Sequence, residues 1–366
     1  MNKQENDQNM IWKTNREMVL VQERPENAYF GQAYDFMRMW LNGQKDFELQ
    51  TSGSTGIPKT IQVSRQQLAG SAAMTGQALG LGEGTRALVC LNVAYVAGLM
   101  MLVRGMELNW ELTMIKPSSN PLLDLPPDAQ FDFAALVPMQ LASCVENKET
   151  EGRINSFGKI LLGGAPVAVS LLRKLVHVSI PVYQSYGMTE TVSHVALRKL
   201  NSPDLQEHYR LLPGVTFGSD ERGCLYVSGP MTKGIKVQTN DLVEIVSQDS
   251  FIWLGRYDTV INSGGIKIIP DRVDEKIAAV FYDAGYNGSF FTWYQPDEKL
   301  GQKLILIMEK TDTDPDEDRI IKEIRKSVSA YETPKHVYFA DRFIKTATDK
   351  TDKRRTVQML FQKING

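Results

Sequence analysis

The sequence predicts an α/β fold: a large amino-terminal domain on a mostly parallel layered sheet with a small barrel-like β subdomain, then a smaller compact α+β lid. Three observations predict it. Before Leu211, short apolar runs such as Ala87-Leu88-Val89-Cys90-Leu91, Lys159-Ile160-Leu161-Leu162 and Pro181-Val182-Tyr183-Gln184 alternate with helical periodicities, as strands buried on both faces do. From Leu211 the rhythm changes to short strands separated by turn signals, among them 223–229, 241–245 and 250–254. Past Asp258 the order becomes strand, helix, strands, helix, strand and a final helix, which sets the expected boundaries at 1–257 and 258–366.

The 366 residues can hold more than one domain, and 42% hydrophobic with 23% charged residues is ordinary for a soluble globular chain. A net charge of -2 argues against a general nucleic-acid binder and for small-molecule chemistry. Cys90, Cys144 and Cys224 are widely spaced and odd in number, which suits reduced thiols and a cytoplasmic setting. No apolar run is long enough to cross a bilayer, so no membrane insertion is expected. Oligomeric state, a homo-oligomer included, is left open.

Taken in order, two aromatic-rich amphipathic patches come first, around Met10 to Met18 and Ala28 to Leu41; the second fits a helix ended by Asn42-Gly43. Then comes Thr51-Ser52-Gly53-Ser54-Thr55-Gly56-Ile57-Pro58-Lys59-Thr60, set between two alternating segments, 47–50 and 60–63. Glycines let backbone amides turn onto a ligand and the hydroxyls add donors, so the loop is a grip for phosphate. A Walker A loop is disfavoured, because it needs Gly-Lys-Ser/Thr running into a helix; a flexible Gly/Ser linker is the bland alternative. Ser64 and Gln67 form a capping box that opens a helix ended by Gly80 and Gly82.

Ligands of such sheets sit beyond the carboxyl ends of the strands. That rule singles out two turns. Gly163-Gly164-Ala165-Pro166 follows one strand and reads equally as a ligand contact or an ordinary turn with proline near a helix start. Ser185-Tyr186-Gly187-Met188-Thr189-Glu190-Thr191 follows the next, bringing an aromatic face for a planar base, a backbone gap, a hydroxyl and a carboxylate suited to Mg2+ held against phosphate. Further on, Gln238-Thr239-Asn240-Asp241 is a polar turn, Gly255-Arg256-Tyr257-Asp258 closes the first domain, and Ser263-Gly264-Gly265 leads toward a helix beginning near Asp271. The basic run from Lys345 to Arg355, taken alone, is a solvated face.

The phosphate-gripping loop and the run Tyr186 to Thr191 closely resemble signatures of the acyl-adenylate-forming superfamily, which includes acyl-CoA synthetases, luciferases and peptide-synthetase adenylation domains. The resemblance spans about residues 47 to 366. It implies ATP, Mg2+ and CoA as the required small molecules and a carboxylic acid as the other substrate. It places Thr51, Ser52, Gly53, Ser54, Thr55, Gly56 and Lys59 on the phosphates, and Gly164, Ala165, Pro166, Ser185, Tyr186, Gly187 and Met188 around AMP. Asp241 falls where the family's Thr-Gly-Asp accepts both ribose hydroxyls, with Asn240 in the glycine's place, and Arg256 falls on the ribose. Thr189 and Glu190 become catalytic residues, Glu190 the metal ligand, and Asp258 the hinge. Lys350 becomes the lysine delivered to the reacting carboxylate, although Asp349 stands where glycine is expected; Lys345, Lys353 and Arg354 suit the role less. Ser263, Gly264 and Gly265 are assigned to the face that admits CoA after the lid turns.

Within the superfamily, 137–141, 161–166 and 181–191, with Val96-Ala97-Gly98-Leu99 and Arg104, resemble the o-succinylbenzoate:CoA ligases of menaquinone biosynthesis. That branch places Tyr95, Arg104, Gly163 and His194 at the acyl pocket, with Tyr95 standing for a histidine and Arg104 or His194 meeting a distal carboxylate; a helix-surface role for Arg104 is the alternative. The region before the phosphate loop is far shorter than in the family, so much of one subdomain is expected to be missing. Two rivals remain open: another aryl- or acyl-CoA ligase or carrier-loading adenylation enzyme, and a non-catalytic nucleotide-binding relic.

Overall fold

The computed structural model describes residues 11–50, 60–286, 288–311, 316–346 and 351–365. The elements in chain order are β1 (Ile11–Thr14), α1 (Arg16–Val21), α2 (Ala28–Leu41), β2 (Asp46–Gln50), β3 (Thr60–Ser64), α3 (Arg65–Leu79), β4 (Arg86–Val89), α4 (Val96–Glu107), β5 (Glu111–Ile115), β6 (Phe131–Leu136), α5 (Pro138–Glu146), β7 (Phe157–Leu162), α6 (Val169–Lys174) and β8 (Val182–Gly187). There follow β9 (His194–Lys199), β10 (Tyr209–Leu211), β11 (Thr216–Ser219), β12 (Cys224–Ser228), β13 (Val237–Ser247), β14 (Ser250–Arg256), β15 (Ile261–Ser263), β16 (Ile266–Ile268), α7 (Pro270–Asp283), β17 (Phe290–Asp297), β18 (Gly301–Glu309), α8 (Glu317–Ile324), β19 (Val337–Ala340) and α9 (Lys353–Asn365).

One sheet of twelve strands runs β1-β5-β4-β6-β7-β8-β9-β10-β14-β13-β12-β11. Strands β5, β4, β6, β7 and β8 pair in parallel. Their residues alternate between faces: Ala87, Val89, Phe133 and Leu161 bury against α2, α3 and α4, while Leu88, Cys90, Ala134 and Ile160 bury against α5 and α6. Each face thus removes its apolar half from water, which explains the run-on hydrophobicity of the strands. The capping box at Ser64 and Gln67 forms, and α3 ends at Gly80, whose φ of 60° is left-handed.

The antiparallel strands do not separate from the parallel ones. Strand β9 pairs antiparallel with β8, so the later strands prolong the same sheet beyond the expected barrel-like unit. The stretch expected as a first amphipathic patch contains β1, an edge strand antiparallel to β5, followed by the short α1. Strands β2 and β3 form their own antiparallel pair, Asp46 opposite Ser64 through Gln50 opposite Thr60, and residues 51–59 between them lie outside the described residues.

A second sheet, β16-β15-β18-β17 with β19 parallel to β18, carries the carboxy-terminal part. Leu304, Leu306 and Met308 face α7 and α8, and Ile305 and Ile307 face α9. This is an α+β arrangement of the kind expected past Asp258. Among the described residues no helix is long and apolar enough to cross a membrane.

Candidate active site

Chain segments far apart in sequence meet beside the carboxyl end of β8. Asp241 on β13 lies directly opposite Arg256 on β14, a cross-strand pair of opposite charge. Tyr186 at the end of β8 donates its hydroxyl to Asp241 Oδ2 at 2.6 Å, and Arg256 Nη1 lies 3.5 Å from Asp241 Oδ1. The Thr239 hydroxyl accepts from the Asp241 amide at 3.0 Å, which fixes the carboxylate's backbone. Asp241 is 7% exposed, so its oxygens are held by design of the strand pair rather than by solvent. Burial and the Asp241 carboxylate both push the Tyr186 phenol far above its usual range, so it stays a proton donor.

The Tyr186 ring meets Phe251 edge-on at 5.2 Å and Tyr209 at 5.7 Å, which sets its plane. The Arg256 guanidinium also forks onto Asp258, with Nε and Nη2 each 3.2 Å from a carboxylate oxygen. Burial alone would lower its pKa, but Asp258 and Asp241 hold it raised. Arginine suits this place because its planar fork spans two carboxylates at once. Asp258 itself is exposed in a short turn over Tyr257–Thr259.

Beyond Tyr186 the chain turns sharply. Gly187 is required there, since a Cβ would lie 2.4 Å from both His194 Cα and the Ser193 carbonyl. Thr189–Thr191 make one helical turn, and the buried Val192 follows with φ of 65°, a conformation costing a β-branched residue about 1–3 kcal/mol. Glu190 is exposed on this turn with no hydrogen bond or ion pair among the described residues. A lone accessible carboxylate suits a hard cation that completes its shell with phosphate oxygens and water. Among the described residues no cluster of three or more His, Cys, Asp or Glu offers a full protein cage instead. The donor set therefore fits Mg2+ shared with a phosphate.

Gly163, Gly164, Ala165 and Pro166 follow β7, next in the sheet, and Ser185 donates to the Leu162 carbonyl at 2.8 Å, tying the two strand ends together. Pro166 does not start a helix, as the sequence suggested; α6 begins at Val169. Met188 accepts through its carbonyl from the Thr191 hydroxyl at 2.9 Å. Ser263, Gly264 and Gly265 form a tight hairpin between β15 and β16, both glycines at positive φ as a two-residue turn of this kind requires. Thr51 to Lys59 and Lys350 lie outside the described residues. Lys345 pairs with Thr351, their side chains 3.1 Å apart.

Of the alternative lysines, Lys353 is committed elsewhere. It sits 2.9 Å from Asp274 Oδ2 and 3.9 Å from Asp271 Oδ1 on α7. Asp271 in turn accepts from the Arg256 amide at 3.1 Å, and Gly255 is needed there because a Cβ would lie 2.7 Å from the Asp271 carboxylate. Sequence reasoning missed Asp271 and Asp274, whose only signal was an acidic first turn in an amphipathic helix.

The acyl-pocket candidates are divided. Tyr95 is 48% exposed at the start of α4. Arg104 is not a surface residue: it is 2% exposed, because α4 is apolar nearly all round and buried between α3 and the sheet. Its Nη2 donates to the Ser193 hydroxyl at 3.2 Å. His194, also buried, lies 3.2 Å from that hydroxyl through Nδ1 and 3.4 Å from the Thr75 hydroxyl through Nε2. Ser193 and Thr75 were not singled out in the sequence.

A profile of the AMP-binding enzyme family matches residues 49–219. The solved structure of an acyl-CoA synthetase (AMP-forming)/AMP-acid ligase II-like protein from Dyadobacter fermentans is 59% identical, with 96% of this chain and 100% of that one covered and a TM-score of 0.68. The chain belongs to the AMP-binding enzyme family. As a member it is an adenylate-forming acid:CoA ligase by class. Among curated members, the 2-succinylbenzoate–CoA ligase of Bacillus cytotoxicus is 26% identical over 345 residues, covering 86% of this chain and 70% of the relative. The fold is shared with the o-succinylbenzoate CoA synthetase of Bacillus subtilis in complex with ATP and magnesium ion, at 21% identity, TM-score 0.71, and coverage of 85% and 69%.

Proposed function

We propose that the protein joins o-succinylbenzoate to CoA in two steps, a reaction of menaquinone biosynthesis carried out in the cytoplasm. A carboxylate oxygen first attacks the α-phosphorus of ATP and pyrophosphate leaves; the CoA sulfur then attacks the acyl carbon and AMP leaves. The observation that carries this reading is the convergence of Tyr186, Asp241 and Arg256, with the unpartnered Glu190 one turn away. The name shared by the curated relatives supports the choice of acid.

The residues divide the work by charge. Asp241 accepts the ribose hydroxyls while Tyr186 and Arg256 keep its carboxylate oriented, and Tyr186 offers a ring edge and face for the base. Thr51, Ser52, Gly53, Ser54, Thr55, Gly56 and Lys59 hold the outer phosphates through amides, hydroxyls and one cation. Glu190 would hold Mg2+, which supplies positive charge against the phosphate oxygens, and Thr189 donates beside it. Lys350 brings an anionic acid and an anionic phosphate together, which costs heavily unless the site is positive. Gly163, Gly164, Ala165 and Pro166 line the turn between nucleotide and acid, with Ser185, Gly187 and Met188 behind it.

Residues 1–257 then form the nucleotide domain and 258–366 a lid that rotates about Asp258, exchanging Lys350 for the Ser263-Gly264-Gly265 hairpin when the thiol enters. ATP–pyrophosphate exchange over a panel of acids tests the substrate. Exchange with o-succinylbenzoate and little with benzoate or fatty acids is expected, and the reverse would remove o-succinylbenzoate. Lys350→Ala is expected to abolish exchange yet spare thioester formation from preformed acyl-AMP; equal loss of both half-reactions would contradict the two roles of the lid.

A further inference from the structure

Asp271 stands where two parts of the chain meet. Its Oδ2 accepts from the Arg256 amide at 3.1 Å, and its Oδ1 lies 3.9 Å from Lys353 Nζ. The first contact is made at close quarters. A Cβ on Gly255, whose φ is 148°, would come within 2.6 Å of Ile269 Cγ2 and 2.7 Å of Asp271 Oδ2. The missing side chain is what lets the start of α7 lie on the end of β14.

The order of these residues gives the bond its meaning. Arg256 precedes Asp258 and Asp271 follows it, so a rotation of residues 258–366 about Asp258 cannot take place with the bond intact. Asp274, by contrast, is satisfied within its own part: it accepts from the Thr292 amide at 2.7 Å and meets Lys353 Nζ at 2.9 Å, contacts that can turn together. Asp271 reaches across.

What it reaches is the strand that holds the ribose-binding pair. The Arg256 guanidinium meets Asp241 and Asp258, so fixing the Arg256 backbone fixes one side of that pair. On its other side Asp271 faces Lys353, which opens α9 and stands three positions after Lys350 in the sequence. One carboxylate thus ties the end of β14 to the helix that follows the lysine. A carboxylate accepting from an amide contributes enough to shift a two-state balance about tenfold.

We propose that Asp271 is a positioning residue for the first half-reaction: its bond to the Arg256 amide holds residues 258–366 in the orientation that forms the acyl-adenylate, and the bond must break before CoA is admitted. The inference rests on the two-step ligase reading and adds the contact that sets the balance between the steps. Asp271 acts through Arg256 and Lys353 and touches no substrate itself.

The test compares the two half-reactions in the full chain: ATP–pyrophosphate exchange with whichever acid the wild type accepts, and thioester formation from the preformed adenylate of that acid and CoA. Hydrogen–deuterium exchange reads the Arg256 amide directly. Asp271→Ala is expected to lower pyrophosphate exchange about 10-fold relative to thioester formation, and to speed deuterium uptake at the Arg256 amide by a similar factor. Asp271→Asn keeps an acceptor oxygen without the charge and is expected to lie between the wild type and Asp271→Ala in both measurements. An equal fall in the two half-reactions is what a merely structural role would give, and it overturns the inference. A larger fall in thioester formation overturns it as well, and so does deuterium uptake at Arg256 that neither variant changes. Pyrophosphate exchange by the wild type with an unshifted ratio in the variants removes this inference alone; no exchange with any acid removes the ligase reading too.

Discussion

Lys353, a half-buried cation, and Arg104, a fully buried one, are treated by the fold in opposite ways. Lys353 opens α9 and lies against Asp274 at 2.9 Å, with Asp271 at 3.9 Å and the face of Phe291 at 5.5 Å. Burial would lower its pKa, but the two aspartates keep it raised, while burial raises Asp274 against the pull of Lys353. Arg104 has a hydroxyl and a thioether, and burial alone brings its pKa down to about 10. A cation provided with its carboxylates is part of the scaffold. One left without them carries the cost of its burial uncompensated.

The largest effect expected from this contrast is at Lys353. Replacing it with methionine leaves the half-buried Asp274 carboxylate with the Thr292 amide at 2.7 Å as its remaining donor, a loss of about 2 kcal/mol. Chemical denaturation of the full chain reads it, and Lys353→Met with Asp274→Leu is expected to recover more than half, because the stranded charge goes too. Adenylation would also suffer, since Lys353 anchors the chain just past Lys350 to α7. Arg104→Met is expected to do the reverse and gain about 1 kcal/mol in stability, because it removes a buried charge that nothing compensates. A loss of stability comparable to that of Lys353→Met would erase the distinction between the two sites.

That distinction was only partly legible in the sequence. The alternation of buried strands and helices announced the layered sheet, and the capping box at Ser64 and Gln67 marked a helix start that the structure keeps. Local patterns of this sort are set within a few residues. The strand β1 was hidden because Ile11 to Thr14 becomes a strand only by pairing with Leu112 to Ile115, about a hundred positions away in the chain. The polar run from Tyr186 and the Asp241 turn were recognised as separate motifs, while their hydrogen bond depends on how β8, β9, β10, β14 and β13 follow one another in the sheet. Arg104 shows the limit most plainly. Its sequence neighbours on α4 are apolar on every side, a pattern that states burial of the helix, yet an arginine in it reads by default as a surface residue. What faces it, Ser193 and His194, is fixed by the turn after Glu190 and by Gly187's close approach to β9.

The smallest expected effect concerns His194, which shares the Arg104 cluster. Burial, and then the nearby Arg104 charge, hold its pKa well below the ordinary 6.5. A histidine depressed in the folded state takes up its proton on unfolding, so the unfolded chain binds more protons as pH falls below about 6.5. Stability contributed by keeping this ring neutral is therefore complete above that pH and is lost on acidification. Between pH 7 and pH 6 the loss amounts to about 0.7 kcal/mol for one such group. His194→Gln, which keeps hydrogen-bonding groups near Ser193 and Thr75 without a titrating ring, is expected to flatten the pH dependence of unfolding by that amount relative to the wild type. In Arg104→Met the ring regains part of its basicity, so the acid slope, which begins near the unfolded pKa in both proteins, is expected to end at a higher pH than in the wild type. If the slopes of wild type and His194→Gln coincide, the ring is not held neutral by its surroundings.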